Sequence, residues 1–152
     1  PDFARSRETS DSGGLTCYVR AQKGRRRKNA VKSFREVSLM PIHLLRERAT
    51  PRQVQEMLAR YEKMIKIVVD IRRKTLAGGG EMHADCEAVL LEDGSEQDDL
   101  WGANWWPNDQ RIEFESLINI RPRLNNRSVI LQSEELRQPV EAITRQILGD
   151  VR

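Results

Sequence analysis

The apolar positions of the chain fall into two periods, and each predicts a kind of element. Val54, Met57, Leu58 and Tyr61 recur at i, i+3, i+4 and i+7, which is one stripe of an amphipathic helix. Thr50, Pro51 and Gln53 supply its start. They offer an N-cap oxygen, a fixed φ for the first helical position and the return bond of a capping box. This helix is expected to end near Lys63. A second stripe, Leu136, Val140, Ile143 and Ile147, follows Ser133, Glu134 and Glu135 and stops at Gly149. Pro139 interrupts it and should kink the helix or delay its start.

The other period is two. Ile42 to Leu45 predicts a short strand, with His43 inside it as an ordinary surface or core residue. Met64 to Lys74 is rich in β-branched residues and reads as a long strand, with Ile65, Ile67, Val69 and Ile71 on one face. Gly79 to Gly94 alternates as well: Met82, Ala84, Cys86, Ala88 and Leu90 on one parity, Glu81, His83, Asp85 and Glu87 on the other. Arg111 to Arg121 repeats the pattern with Ile112, Phe114, Ser116, Ile118 and Ile120, and Pro122 ends it. Leu76 to Gly80 then reads as a flexible hairpin connection. A phosphate-binding nest is set aside there because a strand, not a helix N-terminus, is expected to follow. Ser95 to Gln110, which holds Trp101, Trp105 and Trp106, reads as a long ordered loop.

These elements predict a single α+β domain in the order β-α-β-β-β-α, with a mostly antiparallel sheet and the helices on one face. A sheet buried on both faces would need apolar residues at both parities.

Composition changes this picture at one end of the chain. The 152 residues suit one domain, and at 38% apolar and 32% charged no run approaches the ~20 apolar residues of a membrane span. Residues 1–40 hold 10 Lys/Arg against 4 Asp/Glu, and residues 41–152 hold 16 against 19, so +6 and −3 make the net +3. The basic excess belongs to the leading segment, which is Ser/Gly/Arg-rich and without a period. Residues 1–39 are expected to be a disordered basic tail or a non-native extension, with translation starting at Met40, and residues 40–150 to be the domain. With acids around the tryptophans (Glu96, Asp98, Asp99, Asp109), the folded part is not expected to bind nucleic acid. Cys17 and Cys86 make no disulfide framework, and Cys86 lies on an apolar parity; together they suggest the reducing cytoplasm.

Three segments, GGGEMHADCE, DLWGANWWP and SLINIRP, stand in this order between Met40 and Gly149. In that set the chain resembles a bacterial family catalogued as a domain of unknown function. The resemblance implies a domain boundary near Met40 and carries over no activity and no site residue.

Candidate chemistry is concentrated in the strand expected over Gly79 to Gly94. Same-parity neighbours on a strand lie about 7 Å apart and cross-strand neighbours about 5 Å. One polar face would then gather His83, Asp85 and Glu87 with Asp70, Glu115 and Arg121 from adjacent strands. His83, Asp85 and Glu87 are a ligand set suited to a divalent metal ion. Such an ion would support hydrolysis, of a phosphodiester for example, with Arg121 holding an anionic substrate and Asp70 or Glu115 as further acids. The reading that weighs more is a small binding module. It would hold a small-molecule or protein partner through the polar sheet face and the loop of Trp101, Trp105 and Trp106, with Asn119 alongside.

Overall fold

Eight regular elements follow one another across residues 41–151, which a computed structural model describes. They are β1 (His43–Leu45), α1 (Pro51–Leu58), β2 (Ile65–Asp70), β3 (Thr75–Gly78), α2 (His83–Glu92), β4 (Leu100–Trp106), β5 (Arg111–Glu113) and α3 (Glu134–Leu148). The strands form one open antiparallel sheet in the order β1-β3-β2-β4-β5. The α+β class and the antiparallel sheet are as the sequence predicts. The expectations for residues 1–39 and for a start at Met40 lie outside the described residues.

α1 and α3 form where their stripes place them. Thr50 and Gln53 make the capping box: Thr50 Oγ1 accepts from Gln53 N–H at 3.3 Å, and Gln53 Oε1 accepts from Thr50 N–H at 2.9 Å. α1 ends at Leu58, earlier than Lys63, because the Leu58 carbonyl accepts from both Tyr61 and Glu62 in a tight turn. α3 begins at Glu134 and runs through Pro139. The missing proline N–H strands only the carbonyl of Glu135, an exposed residue in the first turn that water can serve. These two helices share one face of the sheet. There Val54, Met57, Val140, Ile143 and Ile147 pack on Ile65, Ile67, Val69, Leu76, Trp101 and Trp105.

Four expectations about the middle of the chain are corrected. Met64 to Lys74 is not one strand. The Asp70 side chain turns the chain back, its Oδ1 accepting from the N–H groups of Arg72 at 2.9 Å and Arg73 at 2.8 Å. Leu76 to Gly78 is therefore inside β3 and not a loose connection. The glycines from Gly78 onward lead into a helix after all, yet they serve packing. A Cβ on Gly79, whose φ is +95, would stand 2.9 Å from Met57 Cγ, and one on Gly78 would stand 3.0 Å from Met57 Sδ.

Gly79 to Gly94 is the second correction: it contains the helix α2. HADCEAVLLE is rich in Ala, Leu and Glu and has a lone β-branched residue, so its propensity is helical. Its inward stripe is His83, Cys86, Glu87 and Leu90, at i, i+3, i+4 and i+7, and two of the four are polar. That hid a helical period behind an alternation of small apolar residues. The third correction is the Trp loop, which is β4, preceded by a 3-10 turn at Gln97–Asp99. β4 is covered on both faces, so both parities are buried and the alternation that marks a half-buried strand is missing. Fourth, the strand expected over Arg111 to Arg121 stops at Glu113. Glu115 makes one isolated bridge to Ile130, and Ser116 then caps a 3-10 turn, Leu117–Asn119.

The order is therefore β-α-β-β-α-β-β-α, not β-α-β-β-β-α, and the helices are not all on one face as expected: α2 crosses the face of the sheet opposite α1 and α3. Cys86 and Leu90 pack there on Val68, Ala77 and Leu100, all fully buried.

Candidate functional site

α2 seals one end of that second face and leaves the other open. Lys66 and Asn104 are register partners on β2 and β4 and point to the same face as Val68 and Leu100. α2 starts at His83 and does not reach over them. The segment Glu115 to Val129 rises on the far side, beyond β5. Between these walls lies a cleft of about 420 Å³ with Lys66 and Asn104 in its lining, Met82, His83 and Ala84 on one wall and Glu115, Ser116, Leu117, Ile118 and Val129 on the other. Its rim is apolar and wet: Met82 is 57% exposed and Leu117 77%.

The wall beyond β5 is held by an amide that takes the place of a strand. β5 ends opposite Asn104, so Gly102 has no backbone partner on that side. Asn119, fully buried, supplies one: its Oδ1 accepts from Gly102 N–H at 2.8 Å, and its Nδ2 donates to the Gly102 carbonyl at 2.9 Å and to that of Val129 at 3.2 Å. Gly102 must lack a side chain, since a Cβ there would stand 2.5 Å from Ser116 Cβ. Asn126 locks the same segment through Nδ2, donating at 2.8 Å to the carbonyls of Asn119 and Ser128.

His83 begins α2, half-buried, with Nε2 3.0 Å from the Ala103 carbonyl. A carbonyl only accepts, so this contact holds the proton on Nε2 and leaves Nδ1 as the lone pair of the neutral ring. Burial lowers the His83 pKa below that of a free imidazole, and nearby Lys66 adds to this. The Ala103 carbonyl and the Asn104 amide oppose it. Asn104 Oδ1 is buried without a partner among the described residues.

The carboxylates expected beside His83 are turned to other tasks. Asp85 Oδ2 accepts from Met82 N–H at 2.7 Å and caps α2. Glu87 accepts from Arg121 at 2.9 Å in a pair whose side chains are 8% (Arg121) and 12% (Glu87) exposed. Asp70 is buried in the β2–β3 turn. Glu115 lines the cleft with an exposed side chain. On a helix, His83, Asp85 and Glu87 diverge by about 200° at each step of two, so the row drawn on a strand does not exist. Among the described residues no three His, Cys, Asp or Glu side chains converge to hold an ion.

Arg121 is a strut. Its guanidinium lies 5.0 Å from the centre of the Trp101 ring and donates to Glu87 and the Gln97 carbonyl, which ties β4, α2 and the 3-10 turns together. Trp101 and Trp105 are core residues, 1% exposed each, and Trp106 is half-buried beneath Arg111, 4.5 Å from its ring. Asn119, like them, is structural. Cys86 is buried on the inward side of α2, and burial pushes its thiol up to about 12.

The three sequence segments meet here. Met82 to Ala84 belong to GGGEMHADCE, Asn104 to DLWGANWWP and Ser116 to Ile118 to SLINIRP, and all line the same cleft. A family described as a protein of unknown function, DUF5674, matches residues 43–147. The chain belongs to the DUF5674 family. No curated protein and no solved structure matches it. The DUF5674 match runs from β1 to the last turn of α3 and so includes every cleft residue.

Sequence reasoning did not single out Lys66 and Asn104, nor the apolar wall of Met82, Leu117, Ile118 and Val129, all of which line this cleft. Leu117 alone carried a signal: it is a large apolar residue on the parity otherwise held by Glu113, Glu115, Asn119 and Arg121.

Proposed function

We propose that this domain is a ligand-binding module acting through the cleft at the N-terminus of α2. The observation that carries the reading is the unequal cover of the second face. Val68, Ala77 and Leu100 are sealed to zero exposure, while Lys66 and Asn104 on the same strands border a concave, mostly apolar space. Ligand sites have this character, an apolar lining with a few polar groups for orientation. The exposed Met82 and Leu117 support it, since side chains of that size at a cleft mouth are surface that a ligand would cover. Metal-assisted hydrolysis finds no comparable support, because Asp85 and Glu87 are engaged in a helix cap and an ion pair. A reducing cytoplasm belongs to the same reading, supported by Cys86 as a buried free thiol.

The test is fragment binding followed by amide chemical shifts. Small apolar fragments bearing one polar head should shift Met82 to Ala84, Asn104 and Glu115 to Ile118, and Leu117→Asp should abolish those shifts while the rest of the spectrum stays in place. Shifts confined to other surfaces, or none from any fragment, would refute the cleft as a binding site.

A further inference from the structure

The cleft carries two opposite charges that have no ion-pair partner among the described residues. Lys66 makes no ion pair among the described residues; its ammonium rests 4.9 Å from the centre of the Tyr61 ring. Glu115, across the cleft, has no cation within pairing distance among the described residues, and the two do not pair with each other. Acids close by behave differently: Glu81 is paired with Arg60, Glu87 with Arg121 and Glu113 with Arg111.

We infer that the cleft takes a zwitterion with an apolar side chain, a free apolar α-amino acid. This rests on the binding reading above and adds the chemistry of the ligand. β2 and the strand preceding Glu115 flank β4 on either side, about 10 Å apart at 4.7–4.9 Å per strand spacing. A small charged head fits between the two side chains. Its carboxylate meets the Lys66 ammonium and the side-chain N–H of Asn104, which is Lys66's register partner and lines the same cleft. Its ammonium meets Glu115. Its side chain lies against Met82, Leu117 and Ile118. A volume of about 420 Å³ is near the small end of ligand pockets, which run from roughly 300 to 1,000 Å³, so it suits a ligand of this size. The positive end of α2 is not needed, because Asp85 already caps it.

Three probes separate the charges: L-leucine, 4-methylpentanoate without the amine, and 3-methylbutylamine without the carboxylate. Titrated into the labelled full chain, leucine should shift Met82 to Ala84, Asn104 and Glu115 to Ile118 and bind at least tenfold more tightly than either truncated probe. Lys66→Met should reduce leucine to the level of the amine, and Glu115→Gln to the level of the acid. Both residues contact solvent, so both variants should keep the wild-type spectrum elsewhere. If the probes bind the cleft but leucine has no advantage, or if Glu115→Gln leaves leucine affinity unchanged, the zwitterion assignment is wrong and the binding site stands. If none of the probes, nor the fragments, perturbs the cleft, both readings fall.

Discussion

The two faces of the sheet share every strand and differ in how far they are covered. On the first, α1 and α3 lie over aliphatic side chains and two tryptophans from end to end. On the second, α2 covers Val68, Ala77 and Leu100 and stops at His83, leaving Lys66 and Asn104 beside open space. Stability therefore resides mostly on one face and available surface on the other. A helix one turn longer at its N-terminus would cover about 5.4 Å more of the sheet and close the cleft. The position of a helix start thus decides whether this sheet has a cleft.

The contrast can be tested by substitution. The largest loss should come from the sealed face. Trp101→Ala removes a fully buried side chain and should cost about 3–5 kcal/mol in chemical denaturation. A value below about 1 kcal/mol would show that this face is not the main store of stability. Next is the wall beyond β5. Asn119→Ala leaves the Gly102 N–H and carbonyl without partners and should cost roughly 1–3 kcal/mol. A neutral result would mean that the wall beyond β5 is held by something other than this amide.

A smaller effect should depend on pH. His83 has a folded pKa below its unfolded value of about 6.5, so the unfolded chain binds the extra proton first. The His83 contribution is then fully present above about pH 6.5 and is lost as pH falls through the unfolded value toward the folded one. His83→Gln should flatten that part of the stability profile, and an unchanged profile would contradict a ring held neutral by burial. The smallest stability effect belongs to the open face. Lys66→Met and Leu117→Ser should each change stability by no more than about 0.5 kcal/mol while weakening any ligand mapped to the cleft. A large loss of stability from either would make the cleft a structural seam.

The legible parts of the fold were those in which one physical signal dominated. α1 could be read to its cap because Thr50, Pro51 and Gln53 each have a specific role at a helix start. α3 could be read because four aliphatics repeat at helical spacing above Ser133. α2 was misread because its inward stripe contains His83 and Glu87, whose partners, Ala103 and Arg121, are 20 and 34 residues away in sequence. β4 was misread because cover from both sides removes the alternation by which strands are recognised. The candidate site followed these errors: a misassigned strand arranged His83, Asp85 and Glu87 in a row. The cleft depends on where α2 begins relative to Lys66 and Asn104, a tertiary relation that no local period encodes.

The Asn119 amide at Gly102 has a consequence for the behaviour of this protein in concentrated solution. Past the end of β5, the outer margin of β4 would otherwise offer a bare donor and acceptor to any passing extended chain, the usual route to strand recruitment between molecules. A side chain already seated there, backed by Ser116 where a Cβ could not fit, makes that margin unavailable. Loss of Asn119 would therefore do more than loosen one molecule: it would leave an unpaired donor and acceptor at Gly102, on the margin of the sheet.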